Sequence, residues 1–120
     1  MARQPEGRVV EKIKWLFREE GGRPFKIVGS DEGFQETGIP DLLVCWRGYF
    51  IGAEVKQPGA SLRPTQRVIL HEIHKAGGVA AVLETVEQAE ALLSYLKDRR
   101  SSEAPICYDR GTVRRRCEFK

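Results

Sequence analysis

No run of apolar residues in this 120-residue chain approaches the roughly 18 to 20 that a membrane-spanning helix requires. The opening MARQPEGRVVEK also lacks the apolar centre of a secretory signal, so the expected compartment is the cytosol. Cysteine is scarce. Cys45, Cys107 and Cys117 are odd in number, widely spaced and without a C-x-x-C pair, which argues against a zinc site. The two histidines, His71 and His74, stand three apart on an expected helix. With no third ligand in reach along the sequence, they read as a partly exposed helix face.

With 41% apolar and 31% charged residues, the composition suits one compact domain with a single core. The net charge of +3 is unevenly distributed. Residues 1–97 hold 13 basic and 13 acidic residues, whereas 98–120 hold seven and four. Residues 1–97 are therefore read as the domain and 98–120 as a basic tail, with RRSSEAP resembling a linker. There is no internal repeat.

Apolar residues at helical spacing from Glu6 to about Glu20, closed by Gly21-Gly22, predict an amphipathic helix. PFKIV (Pro24 to Val28) reads as a strand and the turn-rich segment from Gly29 to Pro40 as a loop. DLLVCW and YFIGAEVK, separated by Arg47 and Gly48, predict a tight β-hairpin from Asp41 to Lys56. Pro64 starts a helix with Ile69, Leu70, Ile73 and Ala76 as its apolar stripe, ended by Gly77-Gly78. VAAVL suits a buried strand, and Thr85 with Gln88 makes a capping box for a last helix lined by Val86, Ala89, Leu93 and Leu96. The expected order is α-β-β-β-α-β-α.

If Arg47 and Gly48 are the central turn residues, Trp46 faces Tyr49 and Asp41 faces Glu54. Directly opposed carboxylates repel each other, yet they suit a hard, oxygen-liganded cation such as Mg²⁺ or Mn²⁺. Lys56 lies two residues beyond Glu54 and shares its face, where it would orient water or offset developing negative charge. The alternative is an amphipathic strand with Glu54 and Lys56 in solvent and Asp41 capping the loop after Pro40. The apolar neighbours Leu42, Leu43, Val44, Ile51 and Val55 favour a pair covered on both faces.

GIPDLLV, then EVK with twelve residues between Asp41 and Glu54, then LRPTQ, together resemble the PD-(D/E)XK nuclease superfamily. Within it they resemble the VRR-NUC family, which includes small phage and bacterial nucleases and the nuclease domain of the Fanconi-associated nuclease. The family's name-giving motif is not evident at PTQRVIL. The resemblance implies a restriction-endonuclease-like αβββαβ core, with a central mixed sheet flanked by helices. It implies Asp41 and Glu54, with the Val55 carbonyl, as ligands of Mg²⁺ or Mn²⁺, and Lys56 as the active-site lysine. Gln66 matches the glutamine of the following helix, and Glu6, with Glu11 as the alternative, the acid of the first helix.

Lys26, Ser30, Arg63 and Arg67 are candidate DNA contacts. The expected activity is metal-dependent hydrolysis of DNA phosphodiesters, selective for branched or four-way-junction structures. A homodimer would address two strands of such a substrate, with Trp15, Trp46, Tyr49 and Phe50 as candidate interface residues. The expected setting is the cytoplasm of a bacterial or phage-infected cell. Two alternatives stand beside it: a non-catalytic nucleic-acid-binding module relying on Arg114 to Arg116, and a nuclease subunit active only with a partner.

Overall fold

A computed structural model describes residues 6–28, 37–100 and 102–119. Helix α1 (Glu6–Glu19) is followed by strands β1 (Arg23–Lys26), β2 (Leu42–Trp46) and β3 (Tyr49–Val55). Helix α2 (Pro64–Lys75), strand β4 (Val79–Leu83) and helix α3 (Val86–Lys97) come next, then strands β5 (Cys107–Asp109) and β6 (Thr112–Arg114). The six strands form one sheet in sequence order. Pairing is antiparallel from β1 through β3, parallel from β3 through β5, and antiparallel again at β6.

Val10, Ile13 and Phe17 of α1 and Ala89, Leu92, Leu93 and Leu96 of α3 pack on one face of this mixed sheet. They meet Leu42, Val44, Ile51, Ala53, Val55, Val79, Ala81 and Leu83, the residues that strand alternation sends to that side. On the other face α2 contributes Leu70 to a smaller core with Leu62, Ala80, Val82, Cys107 and Phe119. All five residues of β4 are buried, as expected for a strand flanked on both edges and both faces. No helix among the described residues is long and apolar enough to cross a membrane.

The segment after Lys97, expected as a tail, departs from that reading by adding two strands to the sheet. Ile106, Cys107 and Tyr108 are buried, and β5 continues the parallel order beside β4. Their apolar side chains outweigh the basic composition around them. The α2 stripe is also narrower than expected: Leu70 is fully buried, Ile69 and Ile73 are partly covered, and Ala76 is exposed.

Candidate active site

The β2–β3 turn sets the geometry. Arg47 and Gly48 both take left-handed backbone angles, φ 48° and 83°, the pattern of a tight type I′ hairpin. A non-glycine residue there costs about 1 kcal/mol; the Arg47 guanidinium lies over the Trp46 ring, 4.9 Å from its centroid. Pairing then runs from Trp46 opposite Tyr49 to Leu42 opposite Ala53, the expected register.

One step further, Asp41 comes level with Glu54 just beyond the end of the ladder. Its Oδ2 accepts the Val55 N–H at 2.8 Å, and its backbone carbonyl accepts the Ile27 N–H at 2.8 Å. The Asp41 carboxylate is thereby fixed against the last residue of β3. Glu54 is only 3% exposed, which removes the reading of this acid as a solvated surface residue. Lys56 is partly covered, and its N–H donates to the Leu83 carbonyl at 2.9 Å, carrying the β3–β4 pairing one residue past Val55. Because Leu42, Ala53 and Val55 enter the α1–α3 core, Asp41, Glu54 and Lys56 alternate onto the α2 face.

The loop before Asp41 rests on the first turn of α2. Gly38 has φ 92°, and a Cβ there would lie 2.5 Å from the Thr65 carbonyl oxygen, so this contact requires glycine. In the same turn Gln66 Oε1 accepts the Arg63 N–H at 2.8 Å, an N-terminal cap for α2. Arg63 is exposed beside it, while the Arg67 guanidinium donates to the Phe119 carbonyl and is thus engaged with the C-terminal segment.

Lys26 is not brought to the acids. It pairs with Leu42 and so shares the α1 face, where its Nζ meets Glu11 at 2.8 Å. Glu11 also pairs with Lys14 at 3.4 Å, and the Lys26 hydrogen bond holds its carboxyl below the usual carboxylate range. Glu6 begins α1, but its side chain, like Ser30, lies outside the described residues. Of the aromatic residues weighed for an interface, Trp46 and Tyr49 are core, whereas Trp15 and Phe50 are about half exposed.

One polar group beside the site had no counterpart in the sequence reading. Across the sheet from Glu54, through Val82, stands Asp109, which is buried and pairs with Arg110 at 2.7 Å and Arg114 at 3.6 Å. Arg110 also meets Glu84 at 3.3 Å and donates to the Ala60 carbonyl at 2.7 Å, while Glu84 accepts the Gly59 N–H at 2.8 Å. These contacts clamp the loop that follows Lys56. Its signal lay in Asp109-Arg110-Gly111-Thr112, which repeats the Arg-Gly turn of Trp46-Arg47-Gly48-Tyr49; Arg110 has φ 50° and Gly111 φ 102°. The clamp also ties Arg114, so the basic end is partly neutralised within the fold.

The donors at Asp41, Glu54 and the end of β3 are all oxygens, a set that fits a hard divalent cation and not a soft one. Asp41 retains accepting capacity beyond its bond to Val55, since an ionised carboxylate offers about four lone-pair sites. No family model matches the chain, and no curated protein matches it. A solved structure described as a VRR_NUC domain is 33% identical to it, with a TM-score of 0.63, over 75% of this chain and 95% of that one.

Proposed function

The chain belongs to the VRR_NUC family, and on that premise we propose that it is a Mg²⁺- or Mn²⁺-dependent DNA endonuclease. Its core is restriction-endonuclease-like and its function is of the nuclease type. The observation that carries the finer reading is the buried Glu54 carboxylate, level with an Asp41 carboxylate fixed at the end of β3. Asp41, Glu54 and the Val55 carbonyl would hold the ion, and Glu6 on α1 would complete the set. When bound, the ion supplies Lewis-acid polarisation of the phosphate and acidifies water.

The side chains supply the rest. Among the described residues Lys56 makes no ion pair, so its ammonium is available to hold the attacking water or to offset charge developing on the phosphate. Asp41, anchored on the Val55 N–H, keeps the two acids in register through the reaction. Gln66 acts by fixing the first turn of α2, where Arg63 and the free N–H groups favour a phosphate of the DNA backbone. So small a domain has little surface for reading bases, which supports selection of branched or four-way-junction DNA by shape. A homodimer would present two such sites, with the exposed Phe50 and Trp15 as interface residues.

The test is a cleavage assay on linear, flapped and four-way-junction DNA with Mg²⁺, Mn²⁺ or EDTA. Metal-dependent nicking by the wild type, lost in Lys56→Ala with the circular dichroism spectrum unchanged, is the expected result. A fully active Lys56→Ala protein would sink the proposal. Sedimentation that finds only monomer on DNA would remove the dimer.

A further inference from the structure

A second group of metal-competent side chains lies on the same sheet face as Glu54, two strands across and two residues back along the ladder. His74 stands in the last turn of α2, Cys107 opens β5 and Cys117 follows β6. One ligand atom from each lies within 4.8 Å of those of the other two. The His74 Nε2 is shielded from solvent and makes no hydrogen bond, although the histidine as a whole is only partly covered. Cys107 is fully buried and Cys117 half-buried against the small core formed by Leu62, Leu70 and Phe119.

We propose that His74, Cys107 and Cys117 form a structural Zn²⁺ site that fastens the C-terminal segment to α2 and the sheet. The donors are two sulfurs and an imidazole, a soft set that selects zinc over the hard cations suited to Asp41 and Glu54. Zn–S bonds of about 2.3 Å and a Zn–N bond of about 2.0 Å place tetrahedral ligand atoms about 3.5 to 3.8 Å apart. With every separation within 4.8 Å, the cluster needs a contraction of at most about 1 Å to reach that geometry.

Charge balance favours burial. Binding one Zn²⁺ releases the two thiol protons to solvent, and the two thiolates cancel the charge of the ion beside an apolar core. Three protein ligands leave the fourth position to water. Cys107 is fully buried within the small core and its partners come from elements packed around that core, so the metal would fasten them together although one coordination position stays open. The three ligands come from elements remote in sequence, so the metal would add a cross-link between α2 and the chain end, next to the contact of Arg67 with the Phe119 carbonyl. The same helix carries, at its other end, the turn on which the Asp41 loop rests.

The test uses the full chain, reduced with a phosphine and stripped of metal, then titrated with Zn²⁺ and separately with Co²⁺. The expected result is one equivalent of Zn²⁺ per chain, a raised Tm, and a cobalt spectrum with thiolate charge-transfer and tetrahedral d–d bands. That spectrum should persist in Asp41→Ala, which separates it from the oxygen site. Cys117→Ser and His74→Gln should each weaken zinc binding roughly a hundredfold or more, beyond the loss of an outer-sphere partner. Cys45→Ser, at an exposed position, should leave it unchanged.

Zinc should also slow alkylation of Cys117 in the wild type, a readout that needs no variant. Failure of the reduced wild type to take up Zn²⁺ with no cobalt bands would overturn the site. Equal affinity in Cys117→Ser would do the same.

Discussion

The two metal-competent regions share one face of one sheet and differ in almost every other respect. Asp41 and Glu54 offer oxygens from neighbouring strands of a single hairpin, and their relation is fixed by a two-residue turn. His74, Cys107 and Cys117 offer nitrogen and sulfur from three elements that meet only when the sheet is complete. Hardness of the donors would separate the cations the two regions could take, and contact order separates their assembly: the first pair needs only the hairpin, the second needs β5 and the segment after β6 in place. A local site is specified by register, whereas a remote one is specified by the whole fold.

Disabling one region and measuring both properties tests whether the two act independently. Glu54→Gln keeps the shape of the side chain and removes its charge. Cleavage should fall by about 10² to 10³-fold, while zinc uptake at His74 stays at one equivalent. His74→Gln should show the converse, losing zinc and keeping cleavage within tenfold of wild type. Loss of both properties in either variant, with the fold intact by circular dichroism, would show that the regions are one coupled unit.

A larger structural perturbation tests the helix they share. Leu70 is the fully buried anchor of α2, and Leu70→Ala should cost about 2 to 5 kcal/mol. For a domain of this size that corresponds to a fall in Tm of roughly 10 to 20 °C. Both regions should weaken together, because α2 carries His74 at one end and supports the Gly38 loop at the other.

Gln66→Ala separates capping from catalysis in the same helix. Loss of the Oε1 bond to the Arg63 N–H should cost about 1 kcal/mol in thermal or denaturant unfolding. Cleavage should fall less than tenfold. A drop of a hundredfold with unchanged stability would instead place the glutamine amide at the reacting phosphate.

The acid pair was legible because hairpin pairing is arithmetic: once Arg47-Gly48 is taken as the turn, Asp41 and Glu54 follow from counting. The same Arg-Gly device at Arg110-Gly111 escaped notice, since only three residues flank it on each side and a run of arginines follows. Charge composition there outweighed the apolar triplet Ile106, Cys107 and Tyr108 that drives β5 into the sheet. The soft-ligand cluster was invisible for a different reason. His74 and Cys117 are 43 positions apart in the sequence, and no local pattern relates them. The faces of Lys26 and Glu11 were likewise set by tertiary pairing, with Leu42 and α1 respectively.

Glu11 supplies the smallest expected effect and the finest distinction. Its carboxyl is held below the usual range by the Lys26 hydrogen bond above all, against the opposing effect of burial and with a lesser lowering by Lys14. A depressed folded-state pKa means that the ionised acid adds stability above its unfolded value, near the ordinary glutamate range of about 4.3. That contribution is lost as pH falls through the lower folded value. Glu11→Gln should therefore reduce Tm slightly at pH 7, with the gap to wild type closing under acid and narrowing in high salt. Cleavage should hardly change, because the Glu11 carboxylate is engaged with Lys26 and Lys14 and not with Asp41 or Glu54. A large loss of cleavage at unchanged stability would move Glu11 into the acid set in place of Glu6, and would mean that α1 must shift its ion pair to reach the end of the hairpin.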